Sequence, residues 1–100
     1  MTGPVRVVAL LRTQPGRGPD QLAAFADLAP VVRAEDGCLQ YDLHGVVDDP
    51  DRFVVIERWA SAQALSAHAR SDHMRVAGQA AAAFRSGPAE VIVLGDEPVG

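Results

Sequence analysis

No lysine occurs anywhere in the 100 residues; all nine basic side chains are arginine. They are scattered rather than striped, so the electrostatic footprint of a nucleic-acid-binding protein is missing. A single cysteine, Cys38, excludes an internal disulfide and suits a reducing, cytoplasmic setting. No apolar run approaches transmembrane length, and Met1-Thr2-Gly3-Pro4 has neither a charged n-region nor an apolar h-region, so no membrane span or secretory signal is expected. Gly-rich phosphate loops, nucleophile elbows and flavin fingerprints are also absent. What remains is 48% hydrophobic and 22% charged with a net charge of −4, the balance of one small globular domain.

The centre of the chain is Gly37–Trp59, two β-rich runs, Cys38–His44 and Arg52–Trp59, around the turn formers Asp48, Asp49, Pro50 and Asp51. That pattern predicts a hairpin with a loop longer than two residues, since no Asn-Gly or Asp-Gly pair is present. Before it, Val5–Leu11 reads as a strand buried on both faces. A helix opening at Pro19-Asp20 then carries the stripe Leu22, Phe25, Ala29 and Val32, and ends near Gly37. After the hairpin, Ser61 and Ser71 are N-cap signals, predicting a helical region with a break near Ser71 that runs on to Arg85. Glu90–Leu94 is a last strand and residues 95–100 a polar tail. The order β-α-β-β-α-β is ferredoxin-like, an α+β fold with a four-stranded antiparallel sheet and helices on one face, its core spanning residues 5–94 of a single domain. The opposite face is too apolar to stay wet, which predicts a homodimer with two sheets back to back.

Chemistry is sparse and concentrated. Three residues beyond Leu65, His68 sits on the inner side of its helix, where an imidazole faces the sheet. His73 reads as a surface histidine. The five-residue spacing of the two does not share a helix face, so zinc is not expected. Glu57 and Trp59 point to one strand face with Phe53 and Val55. A carboxylate there needs a partner, either a salt bridge that locks the hairpin or a histidine that it orients. The aspartates of the turn lack the glycine and distal glutamate of a calcium loop, and no metal is assigned. Cys38, beside a helix C-terminus, is expected to be a packed hydrophobe rather than a nucleophile.

The run GCLQYDLHGVVDDPDRFVVIERWASAQALSAHARSDHM, Gly37 to Met74, resembles the signature of the antibiotic biosynthesis monooxygenase domain family. The resemblance implies a dimeric α+β barrel with one pocket per subunit between helices and sheet. Some members oxidise quinols, anthrones and related aromatic polyketides with O₂ and no flavin or metal; others degrade haem. The haem branch is similar at Trp59 but needs an Asn on the first strand, which Val5–Arg12 lacks, and an axial His where Gly78 stands. Cofactor-independent oxygenation instead asks for a base, an apolar cavity and oxyanion donors. The expected assignment is His68 or His44 as base and Glu57 as the group orienting it. Tyr41, Phe53, Trp59 and Leu65 are expected to hold a small aromatic substrate, with O₂ as co-substrate and no bound cofactor. The alternatives are a non-catalytic small-molecule-binding barrel and, behind it, a haem-binding relative in which His73 would have to stand in for the axial His.

Overall fold

The computed structural model describes residues 3–100, so the leader reading of Met1 and Thr2 lies outside the described residues. The elements are β1 (Val5–Arg12), α1 (Gly18–Arg33), β2 (Cys38–Val46), β3 (Asp49–Trp59), α2 (Ala62–Ala69), α3 (Asp72–Ala81) and β4 (Glu90–Gly95). The four strands form one sheet in the order β2-β3-β1-β4, with every neighbouring pair antiparallel. This is the α+β ferredoxin-like arrangement that the element order predicts. Among the described residues no helix is long and apolar enough to cross a membrane.

Strand alternation divides the sheet. Val7, Ala9 and Leu11 of β1 and Phe53, Val55 and Trp59 of β3 are buried beneath the helices, where they meet Ala29 and Val32 of α1. The register places Val8 beside Ile56 and Ile92, and Leu10 beside Val54, on the other face. That face keeps its apolar side chains half-buried or exposed, with Ile92 and Leu94 of β4 the most open.

Three local expectations change, the first being that α3 stops at Ala81 rather than at Arg85, which bridges to Thr13 instead. The hairpin strands extend to Val46 and Asp49, so the connection is only Val47-Asp48, with Asp48 taking a positive φ of 64°. Aspartate tolerates that conformation, and the excess length is absorbed by an irregularity between Gly45 and Val46 rather than by the loop. In α1, Leu22 is 54% exposed while Gln21 is buried. The stripe is rotated because Gln21 Oε1 accepts a hydrogen bond from Arg85 Nε at 3.0 Å, a partner that helical periodicity does not reveal.

The serine caps form as expected: Ser61 Oγ accepts from Ala64 N at 3.1 Å, and Ser71 Oγ from Met74 N at 3.4 Å. Together they break the helical region into α2 and α3. Gly37, with φ +82°, turns the chain from α1 into β2, and a Cβ built there lies 2.6 Å from Ala64 Cβ on α2. Gly37→Ala is therefore expected to destabilise by about 2–4 kcal/mol, combining left-handed strain with overpacking. Urea unfolding checks this, and an unchanged midpoint contradicts it.

Candidate active site

Between the helices and the sheet lies a cavity of about 970 Å³, lined mainly by apolar side chains such as Phe25, Leu28, Leu65 and Met74. His68, 5% exposed, comes down from the last turn of α2 into its wall. Its ring lies 4.5 Å from that of Trp59 and 5.8 Å, edge-on, from that of Tyr41, which in turn stacks on Phe25 at 5.2 Å. Aromatic packing on two sides fixes the imidazole plane.

The polar contacts of His68 fix its tautomer. Nδ1 lies 2.8 Å from Glu35 Oε2, and a carboxylate only accepts, so Nδ1 carries the hydrogen and Nε2 is the free, basic nitrogen. Every fully buried side-chain nitrogen and oxygen among the described residues has a hydrogen-bond partner. Nε2, with Glu57 Oε1 at 4.0 Å, is beyond such a bond and opens on the cavity instead. Glu35 also accepts from His73 Nε2 at 2.8 Å, so one carboxylate oxygen holds two imidazoles.

Glu57 sits beneath this pair on β3, its Oε1 accepting from Trp59 Nε1 at 2.9 Å. Burial pushes its carboxyl above the ordinary 4.5, outweighing the opposing pull of the Trp59 N–H and that of the His68 ring when it is protonated. A folded-state value above the unfolded one means that ionisation costs stability. The cost is absent below pH 4.5 and grows as pH rises through the raised folded value. Glu57→Gln keeps an acceptor for Trp59 and cannot ionise, so its melting temperature should rise relative to the parent over that window. Parallel melting curves across pH contradict this. Tyr41 is also pushed up, chiefly by burial and then by Glu57, and stays a neutral phenol that can donate. Arg85, half-buried in the cavity wall, supplies a guanidinium; burial pushes its value down, but not far enough for an arginine to lose its charge. Burial, followed by the charges of Glu35 and Glu57, pushes the Cys38 thiol up, in keeping with a packed hydrophobe.

The structure thus brings together His68, Glu57, Tyr41 and Leu65 at the cavity. His44 is not among them. It pairs with Val54 and is exposed on the opposite face of the sheet, because the register gives the cavity face to Tyr41 and Leu43. Phe53 and Trp59 are on the correct face but do not line the cavity; Trp59 is 0% exposed behind His68, and Phe53 packs against Gly18. Glu35, rather than Glu57, makes the bond that orients His68. His73, read as a surface histidine, is tied to Glu35, since the break at Ser71 turns α3 back towards α2. Glu35 left one sequence signal: a carboxylate just past a helix C-terminus opposes the dipole and needs a partner.

Comparison with known proteins is consistent across sequence and structure. Residues 4–80 match the family model described as antibiotic biosynthesis monooxygenase. The chain is 37% identical over 84 residues to a protein of Escherichia coli strain K12 named "Probable quinol monooxygenase YgiN", covering 74% of this chain and 81% of that one. It superposes on Rv0793 of Mycobacterium tuberculosis with a TM-score of 0.84 and 31% identity, covering 98% of this chain and 97% of that one. PA3566 of Pseudomonas aeruginosa gives a TM-score of 0.86 at 28% identity, covering 98% of each chain.

Proposed function

The chain belongs to the antibiotic biosynthesis monooxygenase family, and on that premise we propose that it oxygenates an electron-rich aromatic of the quinol or anthrone type with O₂, using His68 as base. The observation that carries this reading is the buried imidazole with one nitrogen committed to Glu35 and the other open to an apolar cavity. Ground-state O₂ is a triplet and needs an electron from the substrate, which a phenolate or carbanion supplies readily. A base that creates that anion, in an apolar cavity, is the protein's share of the work.

An anthrone is oxidised at its methylene carbon. His68 Nε2 takes a proton from the methylene carbon or its enol, leaving an anion whose oxygen is within the field of Arg85 and of the Tyr41 hydroxyl. The anion passes one electron to O₂, and recombination of the two radicals forms a carbon–oxygen bond to a peroxide. Protonated His68 returns its proton to the distal peroxide oxygen. Loss of the remaining hydrogen on that carbon then expels water and leaves a carbonyl. One oxygen atom stays in the product and the other leaves as water. Glu35 steadies the imidazolium between the two proton transfers, and His73, hydrogen-bonded to the same oxygen and less buried, links the pair towards solvent.

The cavity is not collapsed and Glu57 is buried rather than tied up in a surface salt bridge, the two features that would have argued for the non-catalytic binding reading. The haem reading loses its aromatic contact, because Trp59 has no exposed face. The apolar open face of the sheet supports a back-to-back homodimer, and light scattering showing only monomer at micromolar concentration contradicts it. Oxygen uptake with metal-stripped protein and an anthrone and naphthalene-diol panel tests the activity. Uptake above the protein-free rate is expected, and none across the panel contradicts the reading.

A further inference from the structure

We propose that Glu35, His68 and His73 form a binding site for a divalent transition metal of the zinc type, with one ion held by Glu35 Oε2, His68 Nδ1 and His73 Nε2. These three donor atoms lie within 4.8 Å of one another. Two nitrogens and one carboxylate oxygen are the donor set of open zinc sites, which keep a fourth position for water or another ligand. Both imidazoles line the cavity.

The geometry is close to what an ion requires. Each oxygen–nitrogen edge is 2.8 Å, and tetrahedral coordination at zinc's bond lengths needs about 3.3 Å. Half an ångström of opening on each edge replaces two N–H hydrogens by one cation. The donors do not share one rigid helix. Glu35 follows α1, His68 ends α2 and His73 begins α3, so small adjustments of three elements suffice.

What lies behind the ligands also fits. When an ion takes Nδ1 of a neutral His68, the ring hydrogen moves to Nε2, which faces Glu57 Oε1 from 4.0 Å. Closing that gap gives the carboxylate–histidine–metal arrangement that orients imidazole ligands and makes them better donors. Glu57 is already held for it by Trp59 Nε1. His73 is partly exposed and provides the way in from solvent. The cluster thus has donors, outer support and access. Occupancy also converts Nε2 of His68 from a free base into a donor, so the ion switches off the oxygenation proposed above. That consequence rests on the proposed function; the site itself does not.

The test is a titration of metal-stripped protein with Zn²⁺ against a chromogenic chelator, with no aromatic substrate present. One Zn²⁺ per chain is expected, lost in His73→Ala and Glu35→Gln, retained in His44→Ala, and weakened about 10–100-fold in Glu57→Gln. Failure to compete with the chelator, or His73→Ala binding as the parent does, overturns the site. Histidine ring NMR of the unaltered protein decides the matter if a variant does not fold. The chain has three histidines, and the rings of His68 and His73 should shift on adding one equivalent of Zn²⁺ while that of His44 stays. A shift of His44 alone, or of none, overturns the proposal. Oxygen uptake lost on adding Zn²⁺ and restored by chelator separates the inhibitory consequence from binding. Binding without inhibition leaves the site standing and removes the base assignment.

Discussion

His68→Ala should lower protein-dependent oxygen uptake by about 10²–10⁴-fold, the usual contribution of a positioned general base. The loss should fall on turnover more than on substrate binding, because alanine leaves the apolar cavity standing and removes only the group that makes the anion. His44→Ala serves as the internal control and should retain uptake. It changes a histidine on the exposed face of the sheet, out of reach of the cavity. Equal losses in both variants, or full activity in His68→Ala, contradict the assignment. Glu35→Gln should fall between the two: it keeps an acceptor for Nδ1 but removes the charge that steadies the imidazolium.

Trp59→Ala is expected to have the largest effect on stability, about 3–5 kcal/mol from the lost side chain and the cavity that it leaves. For a domain of this size that lowers the melting temperature by roughly 4–8 °C per kcal/mol. Trp59 is fully buried, pairs across the sheet with Val5 and Cys38, and packs against His68. Two penalties therefore coincide. The sheet loses its largest fully buried side chain, and Glu57 loses the neutral donor that holds its buried carboxylate. Trp59→Phe separates them. It fills most of the volume but cannot donate, so any destabilisation beyond the volume change should lessen as pH falls and Glu57 takes up a proton. A drop that is the same at all pH values contradicts a role for the hydrogen bond.

The frame of the molecule was legible because it depends on short-range patterns. Runs of β-branched residues, Ser61 and Ser71 as caps, Pro19 at a helix start and Gly37 at its exit each have a local physical cause, and their order limits the topology to a few choices. His68 was legible for the same reason, through its three-residue spacing from Leu65. Alternation placed Glu57 and Trp59 on one face, but a face is not a depth. It could not say that Trp59 would lie behind His68 rather than beside the substrate. Tyr41 and His44 are three apart on one strand, so a regular strand cannot turn both to the cavity, and that parity was readable before any coordinates. Glu35, His73, Gln21 and Arg85 were not readable as partners. Glu35 meets the histidines only through the way α1 crosses the sheet and α3 folds back at Ser71, and Gln21 meets Arg85 across 64 residues. Such contacts are set by the angles between elements, which periodicity within an element does not carry.

The most direct measurement is the fate of the oxygen atoms. Metal-stripped protein and an anthrone are incubated under ¹⁸O₂ in ordinary water, and the quinone is weighed by mass spectrometry at short times, before its carbonyl exchanges with solvent. A monooxygenase acting through His68 should place one ¹⁸O atom in the product at a rate proportional to protein, and that signal should vanish in His68→Ala. Product without the heavy atom, or labelling unchanged by loss of His68, contradicts the account.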